Sequence, residues 1–254
     1  EDQWEPLWED ILRRTEAHLE RIGKPVEGKV RSHFLGAIVL NVASVQGRGI
    51  ARSDVIDGQQ RLTTLQLFLA ALRDQSLKLG AAEEGQKLFS RLTSNPDCAP
   101  NSDEIFKVWP TNSDRDVFGN VMRACGNEKV KSTFSKVEGG LPRMAQAYLF
   151  FADSIAAFVK SEAYIASTED RFFALVMALK ESLQLIVIEL EEGDDPQIIF
   201  ETLNARGQPL LPSDLIRNYV FMRTADQESE RLYKSYWQHF DTETVAIAMP
   251  DGES

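Results

Sequence analysis

The sequence is poor in the residues that most disulfide, metal and redox sites require. Its 254 residues include only two cysteines, Cys98 and Cys125, and three histidines. Two cysteines give no disulfide framework, and no pair of the histidines has metal-ligand spacing. No apolar run approaches the roughly 18 residues that a membrane span needs. We therefore expect a protein of the reducing cytoplasm that makes no membrane contact.

Two common phosphate-binding motifs are also missing. No G-x-x-x-x-G-K-[ST] sequence occurs, which excludes a Walker-type P-loop. Residues 47–49, Gly-Arg-Gly, supply two glycines of a dinucleotide fingerprint. The third glycine and the helix start that this fingerprint requires do not follow. Any nucleotide chemistry must therefore use another arrangement.

The charge balance argues against a protein that coats nucleic acid. Asp and Glu number 39 against 28 Lys and Arg, which gives a formal net charge of −11. Broad neutralisation of DNA phosphates requires the opposite sign. DNA contact is therefore expected only through a local patch or through another domain. At 43% hydrophobic and 26% charged residues, the composition is that of a globular protein with a substantial core.

The most informative stretch covers residues 54–65, Asp-Val-Ile-Asp-Gly-Gln-Gln-Arg-Leu-Thr-Thr-Leu. An apolar pair leads into Asp57 and Gly58, and a long apolar segment follows, which predicts a strand, a tight glycine turn and a helix. Such a turn leaves the first backbone N–H groups of the helix open to an anion. Two glutamines and Arg61 add donors that match phosphate oxygens.

A purely structural interpretation of the same stretch competes with this one. Asp57 is a good N-cap residue, and Gln60, three residues later, completes a capping box. Arg61 would then be a solvated charge of the first turn. From the spacing alone, capping is the more common explanation, because D-x-x-Q before an apolar run is a frequent helix start.

A second stretch, residues 200–210, reads Phe-Glu-Thr-Leu-Asn-Ala-Arg-Gly-Gln-Pro-Leu. Gly207 suits the position just after a helix, where positive φ is common, and Pro209 prevents the helix from continuing. Asn204 and Arg206 would then project from the last turn. On spacing alone, these two polar side chains are more simply solvated turn residues.

Several stretches together resemble a known family. Residues 57–65, 110–118 and 200–210 are similar to its DGQQR, P-T-x-x-D-R-x-x-F and F-E-x-L-N-x-R-G-x-P-L motifs. Residues 34–40 resemble its F-L-G-S-I-V-L strand. This is the DGQQR-motif ParB/sulfiredoxin-like family of GmrSD-type modification-dependent restriction enzymes and related phage-defence proteins, including phosphorothioate-sensing SspE-like proteins. The resemblance implies nucleotide binding and hydrolysis coupled to recognition and cleavage of modified DNA.

The resemblance also implies roles for individual residues. Arg61 is expected to neutralise charge that develops during phosphoryl transfer, and Asp57 to orient the attacking water or to hold Mg²⁺. Asp57 and Asp214 are the metal candidates. The substrate is expected to be a nucleoside triphosphate (GTP, ATP, CTP or UTP) with Mg²⁺. The predicted nucleotide-binding residues are Gly36, Gly58, Gln59, Gln60, Thr64, Asn204 and Arg206.

The predicted fold is α+β, mainly α-helical around a small ParB/sulfiredoxin-like β-sheet. We expect residues 1–125 to form the nucleotide-binding core and residues 126–254 to form a helical part that completes the same module. The apolar run 183–190 predicts a buried strand, and residues 104–111 a short strand. Residues 126–140 read as a loop. Gly36, inside the strand at 33–40, allows close approach of a ligand or of another element, or serves simple packing.

The function that the resemblance implies is a nucleoside triphosphatase module that senses modified DNA and licenses cleavage by an associated HNH-type nuclease. Three scattered histidines do not supply an HNH site, so that nuclease is expected on another domain or subunit. The partners that we consider also include further copies of this chain, in a homo-oligomer. The alternatives are a nucleotide-gated module that binds DNA or a partner, and a modified-DNA sensor, each without significant turnover.

Overall fold

The structure is a computed structural model, and the part of the chain that it describes comprises residues 4–24, 28–42, 51–80, 87, 90–95, 98, 102–111, 114–191, 194, 199, 231 and 235. The chain divides into two compact units, Glu1–Glu191 and Glu192–Ser254. Nearly all described residues belong to the first unit. The two functional parts that the sequence predicts, with a boundary after residue 125, stay a prediction.

The first unit has an α+β fold that is mainly helical around a small mixed sheet, so the predicted fold class is confirmed. Its strands are β1 (His33–Val42), β2 (Ser53–Asp57) and β3 (Leu183–Leu190). A 3-10 turn (Asp103–Ile105) and a π-helical turn (Ala178–Ser182) connect other elements. The α-helices of the described part are α1 (Trp4–Leu19), α2 (Gln59–Leu79), α3 (Arg115–Ala124), α4 (Asn127–Thr133), α5 (Arg143–Lys160) and α6 (Thr168–Met177).

The sheet has the strand order β2-β1-β3, with β2 antiparallel and β3 parallel to the central strand β1. The β1–β3 register shifts between Phe34 and Ala37, which leaves Gly36 in a bulge with φ of 112°. A second shift in the β1–β2 register lies beside Val39, which pairs with Asp57. Bulges bend strands and re-aim the backbone. Here they shape β1 where it meets the end of β2.

Helix α2 is the centre of the helical layer. The sequence predicts this because its apolar residues surround the helix rather than forming one stripe. The structure confirms this, since Leu67, Phe68, Ala70, Ala71 and Leu72 are all buried. None of the helices in the described ranges has both the length and the low charge that a membrane crossing demands.

The core forms where α2 packs against α5. Phe68 and Phe151, both fully buried, meet edge to face with ring centroids 5.4 Å apart. Burial of each such ring stabilises the fold by about 1.5–3 kcal/mol. The ring of Trp8 in α1 also lies near that of Phe68, with ring centroids 6.5 Å apart. The fixed position of α2 in this core holds the start of the helix at a constant place beside the sheet.

The prediction for β3 is half correct. The strand runs from Leu183 to Leu190, as predicted. Its predicted burial is wrong, because Ile186 is 53% and Val187 50% exposed. The reason is position: β3 is an edge strand of a three-stranded sheet, whereas a continuous apolar run is typical of a central strand covered on both faces. An apolar run indicates a strand but does not locate it within the sheet.

Two further predictions are corrected. Residues 104–111 do not form a strand but a 3-10 turn followed by an extended segment, in which Phe106 makes one isolated bridge with Ser94. The ring of Phe106 instead packs edge to face on the ring of Phe118, with ring centroids 5.8 Å apart. Within the predicted loop 126–140 lies a short helix, α4. Its burial of Val130 against the core explains why this polar stretch becomes helical.

Candidate functional site

The turn between β2 and α2 has the geometry that the sequence predicts. Strand β2 ends at Asp57, Gly58 has φ of 92° and ψ of 12°, and α2 begins at Gln59. A Cβ atom on Gly58 would lie 2.7 Å from Cγ2 of Ile38 and 3.3 Å from the carbonyl oxygen of Ala37. Both the left-handed backbone and this close contact with β1 require glycine.

The capping interpretation of Asp57 is wrong. The N-cap position of α2 is occupied by Gly58, and no side chain of the described residues caps the helix. The capping box of this type that the structure does contain lies at the start of α6, between Ser167 and Asp170. Asp57 is half-buried, and its carboxylate makes no hydrogen bond or ion pair with any described residue. A local structural role therefore does not explain this carboxylate.

The first backbone N–H groups of α2 are not bonded within the described part of the chain. The first helical bond of this turn runs from the Leu62 amide to the Gly58 carbonyl, at 2.9 Å. The N–H groups of Gln59, Gln60 and Arg61 precede it and find no acceptor among the described residues. Because no side chain satisfies them, they are available to an anion, which the positive end of the helix dipole also favours.

Arg61 is directed at the sheet. Its guanidinium donates a short hydrogen bond to the carbonyl oxygen of Ala37. A Cβ atom on Gly36 would lie 2.7 Å from Cζ of Arg61, so the glycine leaves the space that the guanidinium fills. From the sequence, Gly36 could allow close approach of a ligand, close approach of another element, or simple packing. The structure shows the second of these, because the side chain of Arg61 in α2 lies against Gly36. The catalytic role of Arg61 and the nucleotide contact of Gly36 stay predictions.

A cavity of about 550 Å³ lies on another side of the same helix start. Its volume is in the range of small-molecule sites. Four polar residues on one face of α2 line it. Three of them, Gln59, Gln60 and Thr64, are predicted nucleotide-binding residues, and the fourth is Thr63. Gln59 also donates from its side-chain amide to the carbonyl oxygen of Val55 at 2.9 Å. Asp57, Gly58 and Arg61 are not among the lining residues described.

The opposite walls come from distant parts of the chain. Thr111 and Asp114 belong to the segment before α3, and Arg143 begins α5. The guanidinium of Arg143 lies over the ring of Trp4, with Cζ 5.7 Å from the ring centroid. The cavity thus brings the DGQQR motif together with the P-T-x-x-D-R element, whose Asp114 supplies a carboxylate opposite the start of α2.

Two threonines of α2, Thr63 and Thr64, line this cavity. A helical threonine usually bonds the carbonyl four residues earlier, as Thr15 does to Ile11 at 2.8 Å. Thr63 and Thr64 make no such bond, and no other side-chain hydrogen bond of theirs is found in the described ranges. Thr63 is only 7% exposed. The residue is buried as a whole, but its hydroxyl oxygen is not one of the fully buried polar atoms that lack a hydrogen-bond partner.

Among the lining residues that the sequence did not predict as site residues are Thr63, Asp114 and Arg143. Asp114 lies in a stretch that resembles the family motif, which was the available signal. Arg143 carries no local signal, because only the packing of α5 against α2 brings it here. Of the predicted residues, Asn204, Arg206 and Asp214 lie outside the described residues. In the described part, no three His, Cys, Asp or Glu side chains form a metal cluster.

These features define a class: a mainly helical α+β protein in which a helix start, whose first N–H groups have no acceptor among the described residues, adjoins a cavity lined by polar and apolar residues. The family model described as the N-terminal domain of the GmrSD restriction endonuclease matches residues 1–221. The chain belongs to this family and is a module of a restriction system. A search of curated proteins found no match.

Proposed function

We propose that this chain binds a nucleoside triphosphate with Mg²⁺ in the cavity beside α2 and hydrolyses it. In a restriction system, turnover would report modified DNA and license cleavage by an associated HNH-type nuclease domain or subunit. The observation that carries the proposal is the free N–H row of α2 beside a cavity of about 550 Å³ lined by Gln60 and Thr64. Amide and hydroxyl donors at a helix start are suited to phosphate oxygens.

The roles of the chain's own groups follow from their positions. The N–H groups of Gln59 and Gln60 and the hydroxyl of Thr64 hold phosphates, and Gly58 keeps the turn tight enough for the approach. Asp57, whose carboxylate has no partner among the described residues, is assigned to orient the attacking water because the family resemblance implies that role, although Asp57 does not line the cavity. Bound Mg²⁺ would neutralise charge on the phosphates during transfer. Asn204 and Arg206 stay predicted nucleotide-binding residues from the sequence.

The contact of Arg61 with β1 favours a second candidate, a nucleotide-gated binding module without turnover. Arg61 and Asp57 do not line the cavity, so a nucleotide there meets polar donors but not the predicted catalytic pair. Nucleotide binding would then change affinity for DNA or for a partner. With a net charge of −11, the DNA contact is assigned to a local patch or to another domain.

The test is a hydrolysis panel of ATP, GTP, CTP and UTP, each with Mg²⁺, in the presence of modified or unmodified DNA. Nucleotide binding is measured in parallel by calorimetry. Turnover that Asp57→Asn abolishes and Gln60→Ala weakens supports the hydrolase. Binding without turnover in the wild type supports the gated module. If none of the four nucleotides binds, both candidates are wrong, and the remaining alternative is a sensor of modified DNA that uses no nucleotide.

A further inference from the structure

We propose that a second cavity, near the opposite end of α2 from the DGQQR turn, binds a small uncharged molecule through its amino or amide N–H groups. This cavity has a volume of about 470 Å³ and is formed by the last turns of α2 and the junction between α3 and α4. Gln60 and Gln75, which line the first and the second cavity, are 15 positions apart on α2, or about 22 Å along the helix axis. The inference therefore does not rest on the proposed nucleotide site.

Gln75 carries the inference. The residue is only 3% exposed and lines this second cavity. Its Oε1 atom is hidden from solvent and has no hydrogen-bond partner within the described part of the chain. Buried acceptors are normally paired, because one without a partner destabilises the folded state. The amide of Gln75 thus offers an acceptor for which the described residues supply no donor.

A second acceptor of the same kind comes from the other wall of the cavity. Asn127, the first residue of α4, also lines it, and its Oδ1 atom is buried without a partner among the described residues. The orientation of this amide is fixed, because Nδ2 donates to Oδ1 of Asp153 at 2.7 Å and a reversed amide would place two oxygens together. Two separate helices therefore each bring an unpaired amide oxygen to the lining of one cavity.

The charges and the size of the cavity favour an uncharged organic ligand. Four charged side chains line it, two of each sign: Asp74, Glu128, Lys78 and Lys129. Asp74 is also neutralised by Arg73, whose Nε atom donates to Oδ1 of Asp74 at 2.7 Å. Because positive and negative charges are balanced, the lining favours neither an anion nor a metal ion. A single water, with a volume of about 30 Å³, is far too small to fill this space, which is in the range of small-molecule sites.

The unpaired atoms decide the chemistry of the ligand. Both are acceptors, so the ligand has to donate. An NH₂ group on an sp² carbon donates two hydrogen bonds, and unlike a hydroxyl group it brings no strong acceptor of its own that would need a donor. Such groups occur on amino-substituted nucleobases and on primary carboxamides. The two sources share the same donor chemistry, and the experiment separates them.

The experiment titrates the full chain with uncharged probes and measures their affinity by ligand-observed nuclear magnetic resonance. Cytidine represents the amino nucleobases and nicotinamide the carboxamides. Their N,N-dimethyl derivatives lack the N–H donors, and glycerol tests hydroxyl donors. The variant is Gln75→Met, which replaces the amide with an apolar chain of similar length. Its control is Gln66→Met, because Gln66 lies on the same helix and is also buried with an unpaired Oε1, but does not line this cavity.

We expect at least one of cytidine and nicotinamide to bind, and the loss of its N–H donors to weaken binding by at least about tenfold. Gln75→Met should weaken the same probe by a similar factor, whereas Gln66→Met should leave its affinity unchanged. Without a probe, Gln75→Met should melt at the temperature of the wild type or above it, because the change removes a buried unpaired acceptor. A loss of binding in this variant then does not come from unfolding.

Three outcomes overturn the inference. If neither cytidine nor nicotinamide binds, the two amide oxygens are paired by water alone and the cavity is not a site for these ligands. If the dimethylated probes or glycerol bind as tightly as the N–H donors do, the assigned donor chemistry is wrong. If Gln75→Met binds the probe like the wild type, the probe occupies another place on the protein. The binding of nucleoside triphosphates, measured on the same variant, should be unchanged, so failure here leaves the proposed nucleotide site standing.

Discussion

The guanidinium of Arg61 lies over Gly36, at a place where a methyl carbon would come within 2.7 Å of Cζ. It also donates a hydrogen bond to the carbonyl oxygen of the next residue, Ala37. Gly36 and Arg61, which the sequence predicts as site residues, therefore contact each other. This contact joins the start of α2 to the bulge of β1. The contact makes the DGQQR arginine a structural link between helix and sheet.

Gly36→Ala is expected to destabilise the protein by about 1–3 kcal/mol, because the new Cβ combines a strained backbone with a clash against Arg61. Urea unfolding measures the loss. Gly139→Ala is the matched control, since Gly139 has φ of 89° but no atom within 4 Å of the built Cβ. Its cost should be backbone strain alone, about 1–2 kcal/mol.

The double variant Gly36→Ala/Arg61→Ala separates clash from strain. Removal of Arg61 empties the space, so the double variant should be more stable than the sum of the single losses predicts, by about 0.5–3 kcal/mol. Strict additivity in the double-mutant cycle would show that the two residues do not interact in solution. The same proteins, tested for nucleotide turnover, show whether Arg61 acts on the phosphates or through the turn.

Asp57→Asn is expected to leave stability within about 0.5 kcal/mol of the wild type, because its carboxylate makes no bond with any described residue. A residue that capped α2 would instead cost about 0.5–2 kcal/mol. Nucleotide turnover should nevertheless be lost. The measurement is urea unfolding beside a steady-state hydrolysis assay. A stable variant with full turnover contradicts the assignment of Asp57 to the chemistry.

Tyr148→Phe should destabilise the protein by about 1–3 kcal/mol. Tyr148 is fully buried, and its hydroxyl donates to Oδ2 of Asp74 at 2.6 Å. Oδ1 of the same carboxylate accepts from Nε of Arg73 at 2.7 Å. Burial, followed by the charge of Asp74, raises the pKa of Tyr148, so the phenol stays protonated and remains a donor. Loss of the hydroxyl leaves a buried carboxylate oxygen unpaired.

The control for this network is Tyr164→Phe. The hydroxyl of Tyr164 also donates to a carboxylate, that of Glu16, but at a half-buried site where water replaces the lost bond. Tyr164→Phe should therefore lower the free energy of unfolding by less than Tyr148→Phe does in the same assay. Equal losses would mean that burial of the Asp74 network adds nothing.

His18 is expected to make stability depend on pH. Its ring bonds the hydroxyl of Ser182 at 2.8 Å, and burial lowers the pKa of His18, against the raising effect of Glu181 and with the help of Arg21. The unfolded chain therefore takes up the proton first, near pH 6.5, while the folded protein takes it up only at lower pH. The contribution of neutral His18 to stability is complete above that pH and is lost as the pH falls below it.

The comparison of wild type with His18→Asn isolates this effect. The free energy of unfolding of both proteins is measured between about pH 5 and about pH 7.5, a range in which histidine titrates. The advantage of the wild type should shrink toward the acid end, because asparagine does not titrate. A difference that is constant, or that grows on acidification, would contradict the lowered pKa.

The local sequence determined much of this protein. The pattern of apolar residues predicted α2 and the bounds of β3, because helices and strands bury residues at different periods. The turn at Gly58 was readable because a positive φ there is cheap only for glycine. Motif spacing was sufficient for the family, since three stretches far apart in the chain matched together.

Tertiary packing decided the rest. Sequence offered Asp57 as a cap, but the chain turns one residue later, at Gly58, because β1 leaves no room for a side chain there. The sequence also showed β3 only as an apolar run. Its place at an exposed edge of the sheet depends on the strand order. The cavity is the clearest case: Thr63, Asp114 and Arg143 meet because α2, α3 and α5 share one core. Local patterns specify elements, whereas contacts between distant elements depend on how their buried faces fit.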